Sequence, residues 1–212
     1  MTNRSLLDRL AGLDTNAVSE ALDVFGLPPG ALGVQPLWRS PRLVGVASTL
    51  RLRDGGNKPR GRSLERAITR VVGEHRVLVL STEVAGRASW DYLASLAARQ
   101  RGVRGTVLDS LCRSVVEIQA LDYPVYARGV TMASNGRRNV VAEQGKPIEF
   151  AGQVVCEDDL VIADRCGVVF IPANAAEEVI ALGERIIRHQ DAMVVEAAAG
   201  HPCTDTLFEL NF

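Results

Sequence analysis

An α/β fold is predicted, on three observations. Short apolar runs such as 77–80 (VLVL) lack the polar alternation of a half-exposed strand and read as strands covered on both faces. Between about residues 43 and 127 such runs alternate with amphipathic helical segments, a β-α-β-α-β order. Beyond residue 147 the pattern changes to close-set strands and then one long helical segment, which predicts a β-rich layer closed by a helix.

The first predicted element is a helix over 16–25. Asp14 or Thr15 is its expected N-cap, and Gly26 with Pro28, Pro29 and Gly30 ends it, since proline cannot continue the ladder and glycine accepts the left-handed cap. A strand over 43–52 runs into Asp54-Gly-Gly-Asn57, a turn by composition. Ser63 is expected to cap a helix reaching about residue 72, with Leu64, Ala67, Ile68 and Val71 on one face. After the strand at 77–80 come a helix over 89–101, a strand at 106–109, a helix beginning after Arg113 and a strand at 125–127. The second half predicts strands at 148–150, 153–156, 160–163 and 168–171, with Gly152 and Gly167 at turns, and a helix from 173 to about 198. There is no internal repeat or linker, so one domain over 1–212 is expected, with a core over about 13–190 and a tail over 200–212.

Composition excludes several function classes. With 47% hydrophobic and 23% charged residues the chain reads as an ordinary soluble globular protein, and its net charge of −1 gives no reason to expect nucleic acid or a membrane surface as partner. The start, MTNRSLLDRLAGL, has no signal-peptide core, and no run of about 18 apolar residues could span a bilayer. The expected location is the cytoplasm. Four cysteines (Cys112, Cys156, Cys166, Cys203) and three histidines (His75, His189, His201) show no zinc, disulfide or HExxH spacing. Charge is locally uneven: eight Lys or Arg against three acids lie between Arg51 and Arg76, an expected electropositive surface.

Chemistry is expected around Arg113. The strand at 106–109 ends in Asp109, a short turn carries Ser110 to Arg113, and Val115, Val116, Ile118 and Leu121 resume at helical spacing. In α/β sheets, sites gather where a strand's carboxyl end meets the next element. A guanidinium there suits a planar carboxylate, which it can grip with two parallel N–H groups.

The same segment, with Tyr123-Pro-Val-Tyr-Ala-Arg-Gly-Val-Thr131, resembles the RraA-like family, which holds 4-hydroxy-4-methyl-2-oxoglutarate aldolases, oxaloacetate decarboxylases and regulators of ribonuclease activity. The likeness extends to Leu13-Asp-Thr-Asn-Ala-Val-Ser-Glu-Ala-Leu-Asp23, to the strand from Leu43, and to the late strands from Pro147 to Pro172. It implies a ββα sandwich of the swivelling-domain type with an N-terminal helix, a small-molecule carboxylate substrate, and a homotrimer or hexamer with the cleft between subunits. In family aldolases the aspartate directly after the arginine binds a divalent metal, Mg or Mn, and an acid on the preceding helix holds metal-bound water. Here those positions are Ser114 and Tyr92, with Asp91 beside the latter. A hydroxyl replaces a carboxylate poorly on a hard cation. No organic cofactor is indicated.

Each candidate carries a bland reading beside the functional one. Arg113 is the carboxylate anchor or a structural ion pair. Asp109 faces the site or caps a turn. Ser114 contacts substrate or simply caps its helix, there being no histidine base near it in sequence. Cys112 is expected to be a buried small apolar residue. Asp91 could replace the missing acid or stay a solvated helix carboxylate, Tyr92 could donate to an oxyanion or pack on the core, and Glu117, four residues after Arg113, is expected to meet and orient it. The loop 81–87 stands where the family has a glycine-rich turn; Gly86 would allow close backbone approach, whereas Glu83 and Arg87 add bulk. Asn57 is a ligand contact or a turn former.

Three functional readings follow: a carbon–carbon lyase of the aldolase or decarboxylase type acting on a small 2-oxo acid or related carboxylate, a diverged metal-independent enzyme in the same cleft, or a non-catalytic regulator. The tail, with Leu207, Phe208, Leu210 and Phe212, is expected to pack on a neighbour or over the cleft.

Overall fold

Apolar runs from both halves of the chain join into one sheet. A computed structural model describes residues 3–39, 42–56, 63–134 and 139–200. In chain order the elements are α1 (Asn3–Leu10), α2 (Thr15–Val24), β1 (Gln35–Pro36), β2 (Leu43–Asp54), α3 (Leu64–Ile68), β3 (Arg76–Thr82), β4 (Ala88–Trp90), α4 (Tyr92–Gln100), β5 (Gly105–Asp109), β6 (Leu111–Cys112), α5 (Val115–Ala120), β7 (Val125–Ala127), β8 (Gly129–Val130), β9 (Asn139–Gln144), β10 (Ile148–Phe150), β11 (Gln153–Val155), β12 (Leu160–Asp164), β13 (Gly167–Ile171) and α6 (Ala176–Ala198).

The main sheet runs β1-β7-β5-β3-β2-β12-β13, with β9 also paired to β2. Its centre, β2-β3-β5-β7, is parallel, as the helical crossovers require. The 12-residue β2 serves two antiparallel partners in turn: Leu43 to Val46 pair with β12, and Leu50 to Asp54 pair with β9 across a bulge at Arg51/Leu52. The ends of the sheet approach each other, since the Ala31 amide bonds Val168 O at 2.8 Å and a Cβ added to Gly167 would meet Val34 O at 3.5 Å.

Three apolar clusters hold this arrangement. α1, α2 and α6 bury Leu10, Leu22, Val179 and Ile180 against Ile162 and Ile171. α3, α4 and α5 bury Ile68, Ala98 and Ile118 against Leu78, Leu80 and Leu108. The opposite side of the sheet, with Val77, Val79, Val107 and Phe170, is covered by the β10–β11 hairpin through Ile148, Phe150 and Val155. Each fully buried Leu, Ile or Phe side chain contributes about 1.5–3 kcal/mol. Polar ties fix the helices: Thr15 donates through its amide (3.0 Å) and hydroxyl (2.7 Å) to Asp164, and Arg9 reaches Glu177 and Glu184 on α6.

The mixed α/β architecture matches expectation, and Asp14 and Ser63 are the caps of α2 and α3. Several boundaries differ. The helix expected over 89–101 starts at Tyr92 because Asp91 caps it, and 88–90 is a strand. α3 stops at Ile68, short of residue 72, and α6 starts at Ala176, past residue 173. Helix α1 and strand β9 were not expected. Two of the described basic residues of this stretch are paired with acids, Arg51 with Glu83 and Glu143, and Arg76 with Glu157 and Asp158. Lys58, Arg60, Arg62 and the tail from 201 lie outside the described residues.

Candidate active site

Three very short parallel strands build the site. β4, β6 and β8 form a separate sheet following the ends of β3, β5 and β7, with Ala88 opposite Leu111, and Leu111 and Cys112 opposite Gly129 and Val130. Too short to stand alone, they are stitched by backbone bonds: Arg113 N to Trp90 O (3.1 Å), Thr131 N to Cys112 O (2.9 Å) and Ala88 N to Ala133 O (2.9 Å). The indole of Trp90, 1% exposed, donates to Ser95 Oγ at 2.7 Å, and that hydroxyl donates on to Asp91 O at 3.0 Å. Behind this sheet the buried hydroxyls of Ser89 and Ser110 bond each other.

Arg113 leaves this sheet immediately before α5. Its Nη2 donates to Asp91 Oδ2 at 3.0 Å, and the side chains are 38% and 27% exposed. Asp91 Oδ1 accepts from the Ala94 amide at 3.1 Å, so one carboxylate caps α4 and pairs the arginine. The guanidinium is positioned but open to solvent, as an anion anchor must be.

The remaining candidates divide. Asp109 is held by Arg128 Nε and by the Ala151 amide (2.8 Å), tying β5 to the end of β7 and to the β10–β11 turn. Glu117 does not orient Arg113: the expectation placed both in one helix, but α5 begins at Val115, and Arg113 meets Asp91 instead. Among the described residues Glu117 has no side-chain partner. Ser114 stands at the N-cap position, yet its backbone is left-handed (φ 57°, ψ 40°) and its hydroxyl makes no capping bond, which corrects the expected side-chain cap. Glu83 is spent on Arg51 at 2.7 Å. Gly86 adopts φ 69° with open space where a Cβ would stand, so the turn conformation selects glycine there. Tyr92 is half-buried against the α3–α4–α5 cluster. Cys112 is buried as expected, and burial, reinforced by the Asp91 charge, pushes its thiol up to about 12. Asn57 lies outside the described residues.

Two roles were missed. Asp91 is the arginine's partner, and Arg128 is Asp109's. The helix-start pattern after Trp90 signals Asp91 as a cap, but nothing local signals its contact with a residue 22 positions on.

Comparison with known proteins bears on this frame. The family model described as RraA-like, Aldolase/RraA, matches residues 15–170, most of the chain and the whole of the site. The chain belongs to the RraA-like family. Among similar proteins, protein DlpA of Legionella pneumophila is 28% identical over 182 residues, 84% of this chain but 29% of DlpA, so the chain spans under a third of that relative's length. A proposed 4-hydroxy-4-methyl-2-oxoglutarate aldolase of Halalkalibacterium halodurans is 26% identical over 168 residues, covering 79% of this chain and 77% of that protein. Solved structures share the fold, two of them closely in extent. One is an uncharacterized protein of Pseudomonas syringae pv. tomato, with TM-score 0.84, 24% identity and 96% of each chain covered. The other is Streptomyces coelicolor RraAS2, described as an unusual member of the RNase ES inhibitor RraA family, with TM-score 0.81, 18% identity and 94% and 100% of the two chains covered.

The divalent metal that the family resemblance implies does not fit the donors present. Magnesium and manganese take anionic oxygens in near-octahedral sets. Ser114 offers a hydroxyl and Tyr92 a half-buried phenol, while both oxygens of Asp91 are engaged. Among the described residues, no group of three or more His, Cys, Asp or Glu is placed to hold a metal ion.

Proposed function

We propose that this RraA-like chain is a carbon–carbon lyase acting on a small 2-oxo acid or related carboxylate, with Arg113 as the carboxylate anchor. The observation that carries this reading is the half-exposed guanidinium of Arg113, fixed at the end of β6 by the Asp91 ion pair. A two-pronged guanidinium grips a carboxylate and leaves an N–H facing the neighbouring carbonyl oxygen. When the bond to a departing carboxyl or aldol fragment breaks, its electron pair passes onto that oxygen as an enolate, whose charge the guanidinium offsets. Water then returns a proton to carbon. Decarboxylation needs little beyond this anchor, because carbon dioxide leaves without a proton transfer. Aldol cleavage also needs a base for the hydroxyl proton, and Asp91 is the carboxylate in contact with Arg113.

The reading includes a homotrimer or hexamer, a cytoplasmic setting and no nucleic-acid or membrane partner. No helix among the described residues is long and apolar enough to cross a membrane. One observation favours a second reading, a diverged or non-catalytic member: Asp91 already neutralises the anchor.

Pyruvate release from oxaloacetate and from 4-hydroxy-2-oxo acids, followed with lactate dehydrogenase, tests the proposal. Release that disappears in Arg113→Ala is expected. No release from any substrate, with ligand binding that still depends on Arg113, would favour the second reading. The absence of both release and binding would overturn the lyase reading and leave the non-catalytic one.

A further inference from the structure

We infer that this chain binds its carboxylate ligand without a divalent cation, the Asp91–Arg113 pair having replaced the free carboxylates that a cation would need. The inference rests on the carboxylate-anchor reading of Arg113. Three features of the site support it independently of one another.

The residue following the anchor is Ser114, a single hydroxyl that brings no negative charge to a hard cation. Its left-handed backbone (φ 57°) places it in a conformation that Asp and Asn adopt more readily than Ser.

Tyr92, half-buried on the apolar cluster under α3, α4 and α5, has a phenol where metal-held water would need a carboxylate. Turning it toward a cation would take its ring out of that packing.

Asp91, the remaining acid, has one oxygen on the Ala94 amide and the other on Arg113. Giving its Arg113-bound oxygen to a metal would leave Arg113 without that counter-charge. Ligand entry at the existing pair instead exchanges one carboxylate for another on the same guanidinium. The positive charge stays on Arg113 throughout, and no cation has to be carried in.

The test uses the full-length protein and two readouts. In the first, the electron paramagnetic resonance signal of free Mn²⁺ is followed as protein is added; in the second, pyruvate is titrated calorimetrically in EDTA and in millimolar Mg²⁺. The inference expects the Mn²⁺ signal to be undiminished and the two pyruvate affinities to agree within about twofold. It is overturned by stoichiometric Mn²⁺ uptake that is lost in Ser114→Ala or Asp91→Asn, or by an affinity about tenfold higher with Mg²⁺. Failure of pyruvate to bind in either buffer would instead refute the carboxylate-anchor reading, and the Mn²⁺ signal would still decide the metal question.

Discussion

Arg113 and Asp91 meet at 3.0 Å, and the same carboxylate caps α4, so the position of the anion anchor and the start of a helix are set by one side chain. The pair is partly solvated, which limits its strength to at most about 1 kcal/mol. A ligand carboxylate can therefore displace Asp91 without a large penalty.

Asp91→Asn should strengthen pyruvate binding about two- to fivefold, the equivalent of about 0.4–1 kcal/mol, by removing the competing charge. Stability should fall by no more than about 1 kcal/mol, the strength of the lost ion pair, because Asn caps helices as well as Asp does. Asp91→Ala should lose about 1 kcal/mol more, with the cap. Calorimetry and urea unfolding measure both effects; weaker binding in Asp91→Asn would mean that Asp91 orients the anchor more than it competes.

Arg113→Ala should weaken pyruvate binding about 10- to 100-fold, as expected for losing hydrogen bonds to a charged group. Arg113→Lys should recover only part of this, since an ammonium lacks the fork that matches a carboxylate. Full recovery by lysine would show that charge alone suffices.

Ser114→Gly should stabilise the fold by up to about 1 kcal/mol, because a left-handed φ of 57° strains serine but not glycine. Ser114→Val should destabilise it, β-branched residues tolerating that region worst. Urea midpoints for the two variants should move in opposite directions.

The Arg9–Glu184 contact gives α1 a pH-dependent hold on α6. Its hydrogen bond to Arg9 keeps the Glu184 carboxyl below the ordinary glutamate range. A folded-state value below the unfolded one means stabilisation present above the unfolded pKa and lost as pH falls through the folded one. Glu184→Gln should therefore be less stable at neutral pH, by about 1 kcal/mol or less, and the difference should close below about pH 4. Thermal melts at several pH values would show it, and a constant difference would contradict the assignment.

Cysteine reactivity should split by site. Cys166 is exposed, whereas Cys112 is buried with its thiol pushed up to about 12. Thiolate is the reactive form, so iodoacetamide at mildly alkaline pH should modify Cys166 in the folded protein and reach Cys112 only after unfolding. Peptide mass spectrometry resolves the two.

Much of the fold was legible because its strands and helices carry strong periods or caps. Val77, Leu78, Val79 and Leu80 are all fully buried in β3, as an unalternating run implied, and Asp14 caps α2. The sheet β4-β6-β8 was not legible, since strands of two or three residues show no period and exist through pairing with one another. The site shared that fate. Arg113 stood out from its place after a strand, but its partner lies in another element, and the spacing rule that suggested Glu117 assumed a helix that starts two residues later. Asp91 could be read as a cap; that one carboxylate also holds the arginine is a tertiary fact.

A crystal structure of the protein soaked with pyruvate and magnesium would show whether Arg113 holds the carboxylate without a metal. Pyruvate's carboxylate is expected on the Arg113 guanidinium, displacing Asp91, with no cation at Ser114. Magnesium bound between Ser114 and Asp91, with pyruvate on the metal, would contradict it.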